Sequence, residues 1–288
     1  MSSEEFLEEV LSSQNAPNEF ESVYREFQKY QEFTASTLME FLKVCELCSI
    51  PYELAYGSLL GVERDRGQVP WDYDIDIFVP FHAKQKLIEA LKKNLNHAFY
   101  FYCPEVDVNC RHVFMRLAPV GFRTEAIHVD VFYYVGTPEE PGKRTAFVSQ
   151  IKELSEKRYG KLVNIREESL GQPRRYFSLL KNRKLPSLFT NVQRSWEEYE
   201  RLCNFYPIDS SSNCVTADPF ADWYVFPTSF LQDTEYVDSE FGEVRVPVAR
   251  CKLLEMIYGD YMSLPSLEQR IGEVLHSVRR IRAFSAAS

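Results

Sequence analysis

The sequence predicts a mixed α/β fold: a small sheet carrying an acidic site, flanked by helices, with a mainly helical second half. Three observations predict it. Apolar residues recur at helical spacing through residues 20–49. Short apolar runs bounded by turn residues alternate with helical segments from 52 to 135. Beyond a turn-rich break at residues 136–142, the pattern over 145–205 is largely helical.

Each element follows from its residues. Phe20, Val23, Phe27, Tyr30, Phe33, Leu38, Phe41, Leu42 and Cys45 mark one long helix or two, their aromatics read as core. Pro51 ends that helix, because it lacks an N–H and restrains the residue before it. Residues 52–56 form the first strand, 58–64 a helical turn, 65–70 a loop and 73–79 the second strand. A helix follows over 82–95, then strands over 99–103, 113–118 and 127–135. Loops are expected near 169–174 and 184–187. Residues 207–247 read as irregular, with short strands at 223–226 and 243–246, and helices over 248–258 and 266–283 close the chain. The expected organisation is a core at 1–142 and a helical portion at 143–288 that completes the substrate cleft, across a soft boundary within what reads equally as one domain.

The second strand carries the chemistry. Asp72, Asp74 and Asp76 alternate with Tyr73, Ile75 and Ile77. In an extended strand, side chains at i and i+2 share a face, roughly 6.6–7 Å apart. Like charges placed so repel one another, and Asp is disfavoured in strands. A half-exposed strand explains the alternation without a metal; a hard cation such as magnesium or manganese explains why the carboxylates are tolerated together. Upstream, Gly57-Ser58 ends a short strand and opens a helical segment. Free backbone N–H groups at such a helix start favour phosphate. A phosphate cradle beside an acidic strand gives the two halves of a phosphoryl-transfer site.

Those residues resemble a known family. Gly57-Ser58 followed by Asp74-Ile75-Asp76 is similar to the signature of the nucleotidyltransferase fold, so a nucleotidyltransferase-like mixed sheet core is implied. Gly57 to Arg64 and Pro70 to Asp76 resemble the longer motif of the LicD/fukutin phosphotransferases, with Ser58 where that family has Thr and Asp65 where it has a basic or small residue. Ile127 to Phe132 resembles a further family strand that supplies a third carboxylate, here Asp130. Phe241 to Pro247, Leu254, Tyr258 to Met262 and Pro265 resemble its closing block.

The resemblance implies metal-dependent transfer of a phosphorylated alcohol from a CDP-linked donor to a sugar, glycan or polyol acceptor. Asp74, Asp76 and Asp130 would then be catalytic and hold Mg2+ or Mn2+, with Asp130 also able to accept the acceptor's proton. Gly57, Ser58, Arg64, Asp72 and Arg116 would bind substrate, the arginines through paired bonds to phosphate. Trp71 is read as a core anchor beside the site, Arg111 and Arg116 each as a phosphate contact or equally an ion-pair partner for the acidic cluster, and His112 and His128 as structural or supporting. The same geometry also suits transfer of a nucleotide from a nucleoside triphosphate, or a non-catalytic nucleotide-binding member.

Composition narrows the class. A net charge of −9 argues against nucleic-acid partners. The charge is uneven: residues 143–201 hold 14 Lys and Arg against 7 Glu, a local +7, and the rest of the chain is −16. That basic stretch is read first as a solvated face and second as an anion-attracting patch, with Arg174-Arg175, in an expected loop after Gly171-Gln-Pro173, the pair most suited to the second role. Seven scattered cysteines in a chain without a secretory pattern predict no disulfide framework, and Cys45-x-x-Cys48 has no second pair at zinc spacing. With no apolar run of transmembrane length, the chain is expected in the cytoplasm, peripheral to a membrane where its acceptor is lipid-linked.

Overall fold

A computed structural model describes residues 1–13, 17–169, 172–182, 191–219 and 224–285. The chain opens with helix α1 (Ser3–Ser12), capped by a reciprocal Ser2–Glu5 box, and the long α2 (Phe20–Cys48). The single helix α2 settles the choice between one helix and two. Its Phe27, Leu38 and Phe41 are fully buried, whereas Phe33 stays at the surface against Phe122.

After Pro51 come β1 (Glu53–Leu54), α3 (Tyr56–Asp65) and β2 (Ile75–Pro80). The first strand is shorter than the sequence suggested, because Tyr56 already turns into α3 with φ of +42°. A non-glycine residue held there costs of order 1–3 kcal/mol. Next come α4 (Lys84–Asn94), β3 (Phe99–Tyr102), β4 (Met115–Pro119) and β5 (Val129–Gly136). The helical stretch comprises α5 (Pro141–Leu162), which starts on a proline that needs no N–H partner, then α6 (Ile165–Glu168), α7 (Pro173–Asn182) and α8 (Val192–Cys203). Arg174 and Arg175 therefore sit in a helix, not in the expected loop, because Pro173 starts α7. The expected loop over 184–187 lies outside the described residues, as does Trp223 of the expected strand at 223–226.

The segment read as irregular holds more structure than expected: β6 (Asn213–Thr216), β7 (Phe226–Pro227) and a hairpin of β8 (Thr234–Ser239) and β9 (Gly242–Pro247). Helices α9 (Arg250–Tyr258) and α10 (Leu267–Ser285) close the chain.

The main sheet runs β1-β2-β5-β4-β3. Among the described residues only β2 and β5 are parallel; the crossover between them contains α4, β3 and β4. Beyond β5, β4 pairs with Val129–Val131 and β6 with Tyr134–Gly136, so the two follow one another along one edge of β5. Ile75, Ile77, Val79, Val129 and Val131 are fully buried and alternate with the site-bearing residues, while α2 packs against the sheet. The hydrophobic core runs continuously from Leu38 to Leu254 and so draws on both halves of the chain.

Candidate active site

The register of three strands assembles the site. Asp76, second in β2, stands directly across from Asp130 in β5, and Asp130 stands across from Arg116 in β4. Residues paired across neighbouring strands project from one face, so the three form a row about 10 Å wide. Asp72 and Asp74 precede β2 rather than lying in it. The reason is the absence of a ladder: β1 reaches only to the level of Ile77, and β5 begins opposite Ile75. Instead Asp72 N–H closes a turn onto Val69, and the Gln31 amide of α2 donates to the Asp72 carbonyl at 2.7 Å.

Asp130 is clamped. Arg116 Nε donates to its Oδ1 at 2.7 Å and Nη2 to its Oδ2 at 3.1 Å, and Nη1 reaches the Thr124 carbonyl at 3.3 Å. His128 Nε2 lies 3.6 Å from Asp130 Oδ2 and 3.8 Å from Asp74 Oδ2, so the imidazole stands between the two carboxylates. Asp130 thus faces the same space as Asp74 and Asp76.

The electrostatics follow from this crowding. Burial, then the charges of Asp74, Asp130 and Asp72, hold the Asp76 carboxyl well above its usual range. Burial and Asp74 do the same to Asp72. Burial pushes Asp130 up to about 6, against the opposing pull of Arg116. Burial together with the Arg116, Arg280 and Arg111 charges holds His128 well below its ordinary value, so its ring is neutral near pH 7. Burial and nearby acids also push up the hydroxyls of Tyr73 and Tyr258, the latter through burial first and then the charges of Asp76 and Asp72. Tyr258, in the closing block, therefore belongs at this site, although its motif gave no hint of a role.

The Gly-Ser turn supports the acids from below. A Cβ on Gly57 would lie 2.7 Å from Asp72 Oδ2, so only glycine leaves room for that carboxylate. Ser58 Oγ accepts the Asp76 N–H at 2.8 Å and so fixes the acidic strand against α3. Arg64 is turned elsewhere: it makes a fork to Asp65 with Nη2 to Oδ2 at 2.8 Å and lies over Trp71. Asp65 also takes the N-terminal amine at 2.9 Å. Trp71 is buried against Phe6 and Arg270, as a core anchor.

A basic ring borders the row. The buried Glu168 lies 3.1 Å from Arg111, 3.1 Å from Arg280 and 3.6 Å from Arg175. Arg111 Nε also donates to His112 Nε2 at 3.2 Å. Arg280 and Glu168 escaped the sequence reading, because nothing local distinguishes them from other helix-surface charges. Of the basic stretch, Arg158 is buried and donates to the Cys110 and Val108 carbonyls, while Arg183 and Lys184 lie outside the described residues.

The donor set suits a hard divalent cation. It is all oxygen, and carboxylates that force each other toward protonation would be relieved by a metal. Among the described residues, no three His, Cys, Asp or Glu side chains are already gathered as a metal-holding cluster. Among the described residues, no arginine clamps Asp74 or Asp76, whereas both oxygens of Asp130 are engaged by Arg116.

A Gly-Ser helix start, an acidic segment entering a strand and a third carboxylate on the parallel neighbour define a nucleotidyltransferase-like class. Residues 49–163 match the LicD/FKTN/FKRP nucleotidyltransferase domain. The chain is also similar to the lipopolysaccharide cholinephosphotransferase LicD of Haemophilus influenzae, at 23% identity over 252 residues that cover 80% of this chain and 89% of that relative. The residues that carry the site are thus similar to the LicD family.

Proposed function

We propose that the chain, a LicD-like phosphotransferase, moves a phosphorylated alcohol of the phosphocholine or polyol-phosphate kind from a CDP-linked donor to a sugar or polyol acceptor during cell-surface glycan modification. The observation that carries the reading is the convergence of Asp72, Asp74, Asp76 and Asp130 beside the Gly57-Ser58 turn in the matched domain.

Asp74 and Asp76 are the residues that would hold Mg2+ or Mn2+. Such an ion supplies charge neutralisation for a diphosphate and its leaving nucleotide. Asp130 takes the base role: near neutral pH it is mostly ionised, and Arg116 fixes its orientation. The neutral His128 stands between Asp74 and Asp130. Asp72, seated against Gly57, packs the floor behind them. The basic ring of Arg111, Arg280 and Arg175 lies where an anionic donor would approach. Among the described residues no helix is long and apolar enough to cross a membrane.

A donor panel tests the reading. CDP-choline, CDP-ribitol and CDP-glycerol are incubated with protein, magnesium and candidate acceptors. Release of CMP from one donor supports it. Release of pyrophosphate from CTP with a sugar phosphate would assign nucleotide transfer instead.

A further inference from the structure

The same face of the sheet bears a second polar cavity, away from the carboxylates. Tyr134 lies four residues past Asp130 on β5, about 13 Å along the strand and on the same face. Glu53 on β1 pairs with Phe78 of β2, two residues past Asp76, and so joins that face as well. Between the two regions stands an aromatic wall, with Tyr56 packed edge-on to Phe78 at 5.0 Å and to Phe132 at 5.5 Å. Behind the wall is a cavity of about 230 Å³. Glu53, Tyr134, Asp209, Gln232 and Arg245 give it polar groups, and Leu231 an apolar wall.

One of those groups lacks what a buried polar atom needs. The Glu53 side chain is only 2% exposed, and its Oε2 has no hydrogen-bond partner. Oε1 lies 4.0 Å from Arg245 Nη2, too far for a hydrogen bond, while Arg245 Nε donates to Thr234 at 2.7 Å. The Tyr134 hydroxyl is the carboxyl's other polar neighbour, and a carboxyl oxygen buried without a partner costs about 1–3 kcal/mol.

We propose that this cavity binds one polyhydroxylated ring or short polyol, with Glu53 and Gln232 hydrogen-bonding its hydroxyls. Charge decides against other classes. A cation would meet Arg245, and an anion would meet Glu53 and Asp209. A hydroxyl both donates and accepts, and so satisfies a carboxyl in either protonation state. Burial pushes the Glu53 carboxyl up to about 8, so near neutrality it donates as well as accepts. The volume is below the roughly 300–1,000 Å³ of sites for drug-sized ligands, which suits a single ring. The site stands independently of the proposed transfer reaction.

The test uses the full-length protein with glycerol, glucose, galactose and their methyl glycosides and disaccharides, read by saturation-transfer NMR and calorimetry. At least one probe is expected to bind. Glu53→Leu and Gln232→Ala should each weaken it tenfold or more, and Asp74→Asn should leave it unchanged. Preference for a glycoside or disaccharide would assign the site to a glycan chain, and equal affinity for the free sugar to a free ligand; both support the proposal. No binding by any probe overturns it. So does wild-type affinity in Gln232→Ala, whose exposed side chain keeps the test valid where Glu53→Leu fails to fold. Binding lost in Asp74→Asn would place the sugar in the carboxylate site and also overturn it.

Discussion

Asp74 and Asp76 are the residues on which the chemistry turns, and their substitution has a signature opposite to that of a structural acid. Asp74→Asn or Asp76→Asn should reduce turnover a hundredfold or more. Neither should lower the melting temperature in metal-free buffer, because each relieves repulsion among crowded carboxylates. Thermal melts with and without magnesium check this. Arg116→Met should do the reverse. Removing one partner of a buried pair costs about 3–5 kcal/mol, read as a lower melting temperature or denaturant midpoint. Asp130 gives the pH dependence. Its folded value of about 6 lies above the usual 3.8, so the base is lost as pH falls through 6, and the rate should fall with it. The stability effect has the other sign: the contribution of the protonated carboxyl is present below 3.8 and is lost as pH rises to about 6. Rate and melting temperature measured between pH 5 and 8 separate the two. At this scale much of the site was legible. Alternating Asp and the Gly-Ser turn announced themselves locally, and Asp130 came through a motif. Arg116 was legible as an ion-pair partner of the acidic cluster, but which carboxylate it clamps was not, because only strand register pairs it with Asp130.

Elements place these residues, and short connections decide how well. The bond from the Asp76 N–H to Ser58 Oγ ties β2 to α3, so Ser58→Ala should cost about 1–3 kcal/mol and lower the rate through a displaced Asp76. Ser58→Thr should keep most of both, since it retains the hydroxyl. The edge strand β1 carries a separate effect. Glu53 is raised from 4.5 to about 8, so its stabilising contribution is present below 4.5 and is lost as pH rises through 8. Wild type should therefore lose stability relative to Glu53→Gln between pH 5 and 8, by up to roughly 1.4 kcal/mol per pH unit, read as a widening gap in melting temperature. Long periodic elements were legible: α2, α4 and the strand at 129–136 lie close to where apolar spacing put them. Shorter ones were less so. β1 shrank to two residues because Tyr56 turns early, and β6 is set by pairing with the distant β5 rather than by its own composition. The strand read at 243–246 lies within β9, but its local partner β8 was missed.

Across the whole molecule, the closing helix joins the ends of the chain to the site. Within α10, Val274, Val278, Ile281 and Phe284 are buried, Arg270 forks to Glu9 of α1, and Arg280 meets Glu168 of α6. Each buried side chain is worth about 1.5–3 kcal/mol, so truncation before Leu267 should unfold the chain or lower its melting temperature steeply. That assembly was the least legible feature, because contacts more than a hundred residues apart leave no local pattern. The reading of the molecule as a donor-dependent transferase rests on the acids acting together through a metal. The most direct test is phosphorus NMR of the reaction with the best CDP-linked donor and acceptor, with magnesium and with EDTA, in wild type and in Asp74→Asn and Asp76→Asn. The account predicts CMP and a new phosphodiester in wild type with magnesium alone, and neither in the variants or in EDTA. CMP and phosphodiester formed at near-normal rates by both variants would contradict it.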